Sequence, residues 1–381
     1  MKKAPLMIVG MGDLAAWALE FLSREEGIPR IVTVDIDEDM GYRRTNSAVI
    51  GASQFGRYPD IEFAQMDVAN IDKTAELIEE VQPSVIINGM TLQSWWVIGQ
   101  LPADVYKQID EARFGPWFPM QFLPTYRLMR AVKKSGVNAK VINCAFPDTV
   151  NVALAKIGLA PTVGIGNIDN AVAGLRVVAA KTFNVSVRSV TVYLVCAHYT
   201  SYYINRFGNS GGSPFYLKVM VDEKDVTPDL NIEQFLNNVT TVGRKPGGAK
   251  GHAVVASSIC KIARAMLFDT KEIGHAPGPN GLPGGYPIKI GADGVEVFLP
   301  EGLSFERAVQ INEEGNRCDG IESIQADGTV VLTEKSAGIM KALLGFDRKR
   351  YKVDECENDY QELSQKYARW AGKARSMVVA K

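Results

Sequence analysis

The chain is predicted to be an α/β protein in which a Rossmann parallel-sheet domain precedes a mixed α+β domain for substrate and oligomer contacts. Three observations carry that expectation. Short apolar runs alternate with longer amphipathic ones through residues 1–148, and a glycine triad stands between the first run and the first helical pattern. Beyond about residue 150 the rhythm changes to long runs with β-branched residues at alternating sites. The expected division is a dinucleotide-binding domain at 1–148 and an α+β catalytic domain at 149–381, with an extension from about 300.

Taken in order, the strand candidates are LMIVG (6–10), RIVTVD (30–35), IEFAQMD (61–67), SVIING (84–89) and KVINCAF (140–146). Helical patterns such as 14–26 and 71–82 lie between them. Strands separated by helices need crossover connections, hence a parallel sheet covered on both faces. A helix at 150–158, the short strand PTVGIG and a helix from Asp169 to Lys181 follow. The runs 185–199 and 215–226 read as an antiparallel pair, and 254–268 as a helix with an apolar stripe. Glycine- and proline-rich breaks at 207–214, 244–251 and 275–287 read as loops. The polar stretch beyond 300 reads as an appended cap or oligomer contact, with no chemistry assigned to it.

Composition narrows the partners. With 42 basic against 43 acidic residues in 381 and no long single-sign run, nothing calls for nucleic acid or an anionic membrane surface. No stretch reaches the ~18 apolar residues of a membrane span, and the N-terminal run reads as strand–turn–helix rather than a signal peptide. Five scattered cysteines (Cys144, Cys196, Cys260, Cys318, Cys356) fit reduced thiols in a cytoplasmic protein, with neither disulfide framework nor metal site.

Gly10, Gly12 and Ala15 form the G-x-G-x-x-A variant of the dinucleotide fingerprint, after a strand and opening a helix. The first glycine permits a tight turn, the second lets a pyrophosphate approach, and the small third residue allows close helix–sheet packing. Asp13 and Leu14 begin the helix whose N-terminus would face the phosphates. Asp35, ending the second strand, can accept from a ribose diol and would repel a 2′-phosphate, so NAD is favoured over NADP. Asp37 is the fallback, and Arg43 or Arg44 keeps NADP open as the lesser option. The turn closing the fourth strand, with Asn88 and Gly89 and running to position 90, completes the cofactor set.

The chemical end rests on His198 within YLVCAHYTSYY, one of three histidines. An imidazole titrates near neutrality and suits the proton partner of hydride transfer, and a carboxylate behind it would fix its tautomer. His252 and His275 fall in glycine- and proline-rich segments and read as loop histidines. The order of NCAFPDTVNVALAKIGLAP, GIGNIDNAVAGLR and VCAHYTSYY, with AVVASSICKIARAML and GGYPIKIGADGVE beyond, resembles the lactate/malate dehydrogenase superfamily from residue 5 to about 297. The resemblance implies that Asn143 contacts the substrate carbonyl or the nicotinamide side, that Asp169 orients the imidazole, and that His198 exchanges the proton. It also implies a small-molecule substrate, NAD and a homo-dimer or homo-tetramer.

The chain departs from that pattern where the substrate carboxylate would be gripped. The family's arginine three residues after the aspartate is Val172 here, and the loop GMTLQSWWVIGQLP holds Trp95 and Trp96 but no arginine. Arg113, Arg176 and Arg206 are possible replacements that spacing does not separate. A hydroxy or oxo substrate other than lactate or malate is therefore expected, larger, more apolar or differently charged, with a CH–NH substrate as a variant. ARFGPWFPMQFLPTY (112–126) belongs to the same wall, to a dimer contact or to the core. Two other readings stay open. One is an NAD- and metal-dependent glycosidase, for which Cys144 or Cys196 would have to supply a ligand. The other is an NAD-binding sensor without turnover.

Overall fold

The computed structural model describes residues 4–379. Strands β1 (Leu6–Val9), β2 (Ile31–Asp35), β3 (Ile61–Gln65), β4 (Val85–Asn88), β5 (Lys140–Asn143) and β6 (Val163–Gly164) form one sheet in the order β3-β2-β1-β4-β5-β6, every pair parallel. Helices α1 (Asp13–Leu22), α2 (Glu38–Gln54), α3 (Ile71–Val81), α4 (Ala103–Asp110), α5 (Phe118–Ser135) and α6 (Pro147–Lys156) make the connections. β1, β2 and β4 are buried at every residue, as strands covered on both faces must be. The chain runs outward through β2 and β3, then returns to the far side of β1. That reversal leaves a crevice between β1 and β4 at the carboxyl ends of the strands. The sheet continues past residue 148, because β6 is its sixth strand.

Side chains set several of the boundaries. β4 and β5 each stop at an asparagine that accepts the backbone N–H two residues on: Asn88 from Met90 at 3.2 Å and Asn143 from Ala145 at 3.0 Å. Such turns end a strand without leaving polar groups unpaired. The expected strand 140–146 is shortened for that reason. Helix α5, which sequence periodicity did not reveal, runs through Pro124. Proline cannot donate to the Met120 carbonyl, and that oxygen instead accepts from Leu92 N at 2.9 Å and from the Thr91 hydroxyl at 3.4 Å. The helix thereby holds the loop after β4.

Next come α7 (Asn167–Thr182), β7 (Val190–Val195), α8 (His198–Phe207), β8 (Tyr216–Val221), β9 (Lys224–Asp225) and α9 (Ile232–Thr241), with β7-β8-β9 antiparallel. The run expected as one strand over 185–199 is only partly so. A 3-10 turn occupies Val187–Ser189, and the strand gives way after Val195. Cys196 still pairs with Gly285, but Ala197 caps a helix whose first residue is His198. Tyr199 stacks on Tyr203 at 4.3 Å, so the aromatic spacing there is helical, i to i+4, rather than alternating.

α10 (His252–Phe268) then leads to the antiparallel sheet β10 (Ile273–Pro277), β11 (Gly285–Gly291) and β12 (Gly294–Val297), so part of the expected loop 275–287 is strand. α10 is apolar on more than one side because it packs between α1 and the sheets, sharing one core with Leu6, Leu19 and Ile288.

The extension comprises α11 (Phe305–Cys318), β13 (Ile321–Ile324), β14 (Val330–Leu332), α12 (Glu334–Leu344), β15 (Arg350–Tyr351) and α13 (Cys356–Val379). It is not a peripheral cap. Phe346, Tyr351, Leu363 and Tyr367 are buried in the same core as Phe118, Phe122 and Val141. Tyr351 donates to the Pro116 carbonyl at 2.8 Å, and Trp117 meets Tyr367 edge-on at 5.1 Å. Leu363→Ala should cost about 2–5 kcal/mol, the range for a buried leucine with its cavity. Urea unfolding should show a single transition displaced as a whole. An early separate transition, with the rest of the curve unmoved, would mean that the extension folds independently.

Candidate functional site

A cavity of about 590 Å³ fills the crevice at the carboxyl edge of the sheet. One end is built by the first turn. Gly10 has φ +85, and a Cβ there would lie 2.4 Å from Met90 Cγ, so only glycine closes this turn. Gly12 has φ −65, and a Cβ added to it would meet nothing within 4 Å. Its open side faces the cavity beside Asp13 and Leu14, at the N-terminus of α1. Asp35 lines the same end. Its carboxylate accepts Met11 N at 2.5 Å and Asp37 N at 2.9 Å, which pins the end of β2 against the glycine turn. Asp37 itself caps α2 by accepting Met40 N at 3.0 Å. Arg44 is taken by Asp13 and the Met11 carbonyl, and Arg43 by Asp39.

At the other end the imidazole of His198 is sandwiched by Phe114 (5.1 Å) and Phe146 (5.4 Å), with Tyr202 behind it at 6.4 Å. Its Nδ1 lies 3.0 Å from Oδ2 of Asp319, the residue that ends α11. The histidine side chain is 20% exposed and that of Asp319 only 5%. Burial pulls the His198 pKa down, but the charge and hydrogen bond of Asp319, aided by Asp148, outweigh it and leave the pKa above the ordinary 6.5. Asp148 also lines the cavity and is 4% exposed; burial pushes its carboxyl up to about 6, with Asp319 adding to the rise. Phe146 holds φ 41 and ψ 55, a left-handed conformation rare outside glycine, and so presents its ring to His198.

Trp95 and Trp96 line the wall between the two ends, Trp95 packing on Phe114 at 4.8 Å. Gly89 is in the lining, but Asn88 lies beneath it. The other expected arginines are not in the wall. Arg113 is stacked over Tyr199 and Tyr203 and paired with Asp110 and Glu111. Arg206 lies over Tyr202 and Phe207, and Arg176 donates to the carbonyls of Val187 and Val190. The arginine that does reach the cavity is Arg127 of α5, ion-paired with Glu357 of the extension. Neither Arg127 nor Asp319 carried a local sequence signal. Asp148 stood within NCAFPD but was not singled out.

A scan of protein-family models and a search of curated sequences each return no match. Solved structures do match. Lactate dehydrogenase of Eimeria maxima, in a structure with NADH and oxamate, superposes with a TM-score of 0.58 at 14% identity, covering 84% of this chain and 92% of that one. Lactate dehydrogenase of Cryptosporidium parvum, complexed with lactic acid and NAD, gives 0.55 at 18%, covering 83% and 96%. The malate dehydrogenase of Cryptosporidium parvum gives 0.56 at 16%, with the same coverage. The chain has the lactate/malate dehydrogenase fold.

Within that fold, two residues expected in the site do other work. Asp169 is not beside His198; it is ion-paired with Lys261 of α10. Asn143 is fully buried and its amide is spent: the oxygen accepts from Asn88 and Ala145, each at 3.0 Å, and the nitrogen donates to Asn151 at 2.8 Å and to the Ala145 carbonyl at 3.0 Å. It braces the floor of the site rather than facing a ligand. His252 opens α10 at the cavity edge, next to Asp13. His275 lies in β10, where its Nε2 accepts Leu194 N at 3.2 Å and burial pushes its pKa down to about 3. The thiols required by a metal-dependent glycosidase are held protonated by burial, Cys144 raised to about 12 and Cys196 well above its ordinary value. No group of three His, Cys, Asp or Glu among the described residues is arranged to hold a metal.

Replacing the partner should show in the titration of His198. Asp319→Asn should lower the midpoint of the imidazole, followed by its NMR ring-proton shifts. In the native protein the histidine's share of stability is present in full below about pH 6.5, its ordinary value, and is lost as pH rises through the higher folded value. The stability gap between native protein and variant should close over that same interval. An unmoved midpoint would show that Asp319 does not hold the proton.

Proposed function

We propose that this protein is an NAD(H)-dependent oxidoreductase moving hydride between nicotinamide and a carbon that bears a hydroxyl or oxo group, with His198 as acid–base and Asp319 as its positioning residue. The observation that carries the reading is a single cavity joining the Gly10–Gly12 turn to the His198 imidazole. The open side of Gly12 at a helix N-terminus suits a pyrophosphate, because free N–H groups and the helix dipole meet its charge there. Asp35 has oxygen lone pairs left for a ribose diol, while its charge disfavours a 2′-phosphate, which supports NAD over NADP. The NADH and NAD in the structures of the similar dehydrogenases support the same cofactor class.

The bound cofactor would supply or accept the hydride. The chain's own groups handle the proton. Asp319 occupies Nδ1 of His198, so Nε2 is the atom left to give a proton to the nascent alkoxide in reduction, or to take it from the alcohol in oxidation. The raised pKa shifts the imidazole toward its charged form, the form that reduction requires. Phe114 and Phe146 pack against the ring and hold its plane. The buried Val172 and the position of Trp95 and Trp96 support a substrate other than lactate or malate.

NADH fluorescence titration tests the cofactor end. Gly12→Val should weaken NADH binding by about ten-fold or more at nearly unchanged thermal stability, since the fold leaves the space open. Gly10→Ala should instead destabilise, because its φ and Met90 forbid a Cβ. For the chemistry, His198→Gln should lower kcat/KM with a panel of hydroxy and oxo compounds by about 10²–10⁴, with NADH affinity retained. Undiminished turnover in that variant would remove His198 from the reaction. NADH binding without any turnover would leave the sensor reading in its place.

A further inference from the structure

We infer that the substrate of this site carries a positive charge, and that the Asp148 carboxylate is the group that selects it. The inference rests on the proposed oxidoreductase reading and adds the substrate class to it.

The first ground is the sign of the walls. The charged residues lining the cavity are Asp13, Asp35, Asp67, Asp148 and Arg127, besides His198 and His252. Asp13 and Asp35 stand at the nucleotide end. Arg127, the one guanidinium in the lining among the described residues, is already paired with Glu357. Arg113 and Arg206 lie outside the lining, covered by tyrosine rings and engaged with other groups. A 2-oxo acid entering here would have to lose the hydration of its carboxylate against Asp148, with no free cation among the described lining residues to meet it. In a low-dielectric pocket that penalty is severe.

The second ground is Asp148 itself. It is 4% exposed, lines the cavity with His198, accepts backbone N–H bonds from His198 and from its own residue, and takes part in none of the ion pairs among the described residues. Its carboxyl is raised to about 6 because burial is not offset by enough positive charge. His198 is the cation nearest to it, and that imidazolium is already matched by Asp319. One negative charge is therefore left over, and a ligand cation would neutralise it. The third ground is the aromatic wall. Trp95, Phe114 and Phe146 pack edge to face (4.8 and 4.4 Å between rings) next to that carboxylate, and aromatic faces attract ammonium groups. An amino alcohol or amino ketone meets all three conditions. The reaction keeps its balance: hydride goes to or comes from nicotinamide, the proton passes through His198, and the ammonium is only held.

Ligands that do not react separate this inference from the reading it rests on. Benzylammonium, benzyl alcohol and benzoate share a ring and differ in charge, and their binding can be measured calorimetrically on the NADH complex. NADH is the right form because its ring is uncharged, so Asp148 is not answering to the positive ring of NAD⁺. The cation should bind about ten-fold or more tighter than the alcohol, with benzoate weakest. Asp148→Asn should bring the cation-to-alcohol ratio close to one, whatever happens to absolute affinity. Benzoate binding best, or a ratio unchanged in the variant, would overturn the inference. If Asp148→Asn does not fold, the ranking of the three ligands on the native protein decides alone. Should NADH itself fail to bind, the oxidoreductase reading falls, and the same ranking on the cofactor-free cavity still decides the sign of its charge.

Discussion

The pairing of His198 with Asp319 is the contact on which the rest of the site depends. A carboxylate as enclosed as Asp319 is costly unless its charge is met, and removing one partner of such a pair leaves the other stranded at a penalty of about 3–5 kcal/mol. The two residues are 121 positions apart, so the pair forms only when the extension is docked. Docking is prepared on the other side of the contact. Gly115 donates to the Asp319 carbonyl at 2.8 Å, and a Cβ at 115 would come within 3.0 Å of that oxygen. Gly115 follows Phe114, whose ring lies against His198. One close backbone approach thus sets the imidazole, its partner and the wall beside them.

Beneath the cavity a chain of buried amides does for the floor what that pair does for the wall. Asn88, Thr125, Asn143 and Asn151 are fully buried and linked to one another, and Asn151 donates on to the Gly278 carbonyl at 3.0 Å. Asn88 and Asn143 satisfy groups that the strand ends would otherwise leave orphaned, which is why two parallel strands can stop abruptly under the cavity. The network crosses from the parallel sheet to the segment after β10, tying the two together. Phe146 is held in its left-handed conformation above this floor. Strain of about 1–3 kcal/mol at such a residue persists only where the surroundings over-determine it, and here it turns an aromatic ring toward the His198 imidazole.

What the sequence reveals of the molecule follows the range of the forces involved. The nucleotide end is local: strand, glycine turn and helix are contiguous, so Gly10, Gly12, Asp13 and Asp35 could all be placed in one crevice from spacing alone. The position of His198 was legible too, but not its backbone. The apolar run that announced a strand continues past Ala197 as a helix, because there the tyrosines stack along a helical face and no longer across a sheet. The partner was beyond reach. Asp169 sits where the family pattern puts an orienting aspartate, yet Lys261 holds it, and the carboxylate that does meet the imidazole lies in a stretch with no motif. Asn143 was noticed for good reason, being an asparagine at a strand end, but a buried amide with every hydrogen bond made has nothing left to offer a ligand. Arg113 and Arg206 illustrate the same limit, since a guanidinium can be spent on tyrosine faces that sequence does not bring together.

The two ends of the cavity make opposite electrostatic demands, and the fold separates them. At Gly12 the helix N-terminus and its free N–H groups favour anions, as a pyrophosphate requires. At Asp148 the surplus is negative. In a uniform low-dielectric pocket each would weaken the other, since unit charges interact over many ångströms when water is absent. The stretch between them is built from Met90, Leu92, Trp95 and Trp96, apolar or aromatic side chains that carry no formal charge of either sign. They keep the two ends of one crevice apart. At the chemical end the sign comes from Asp148, a buried carboxylate outside every ion pair among the described residues, and the want of a guanidinium would not by itself supply it.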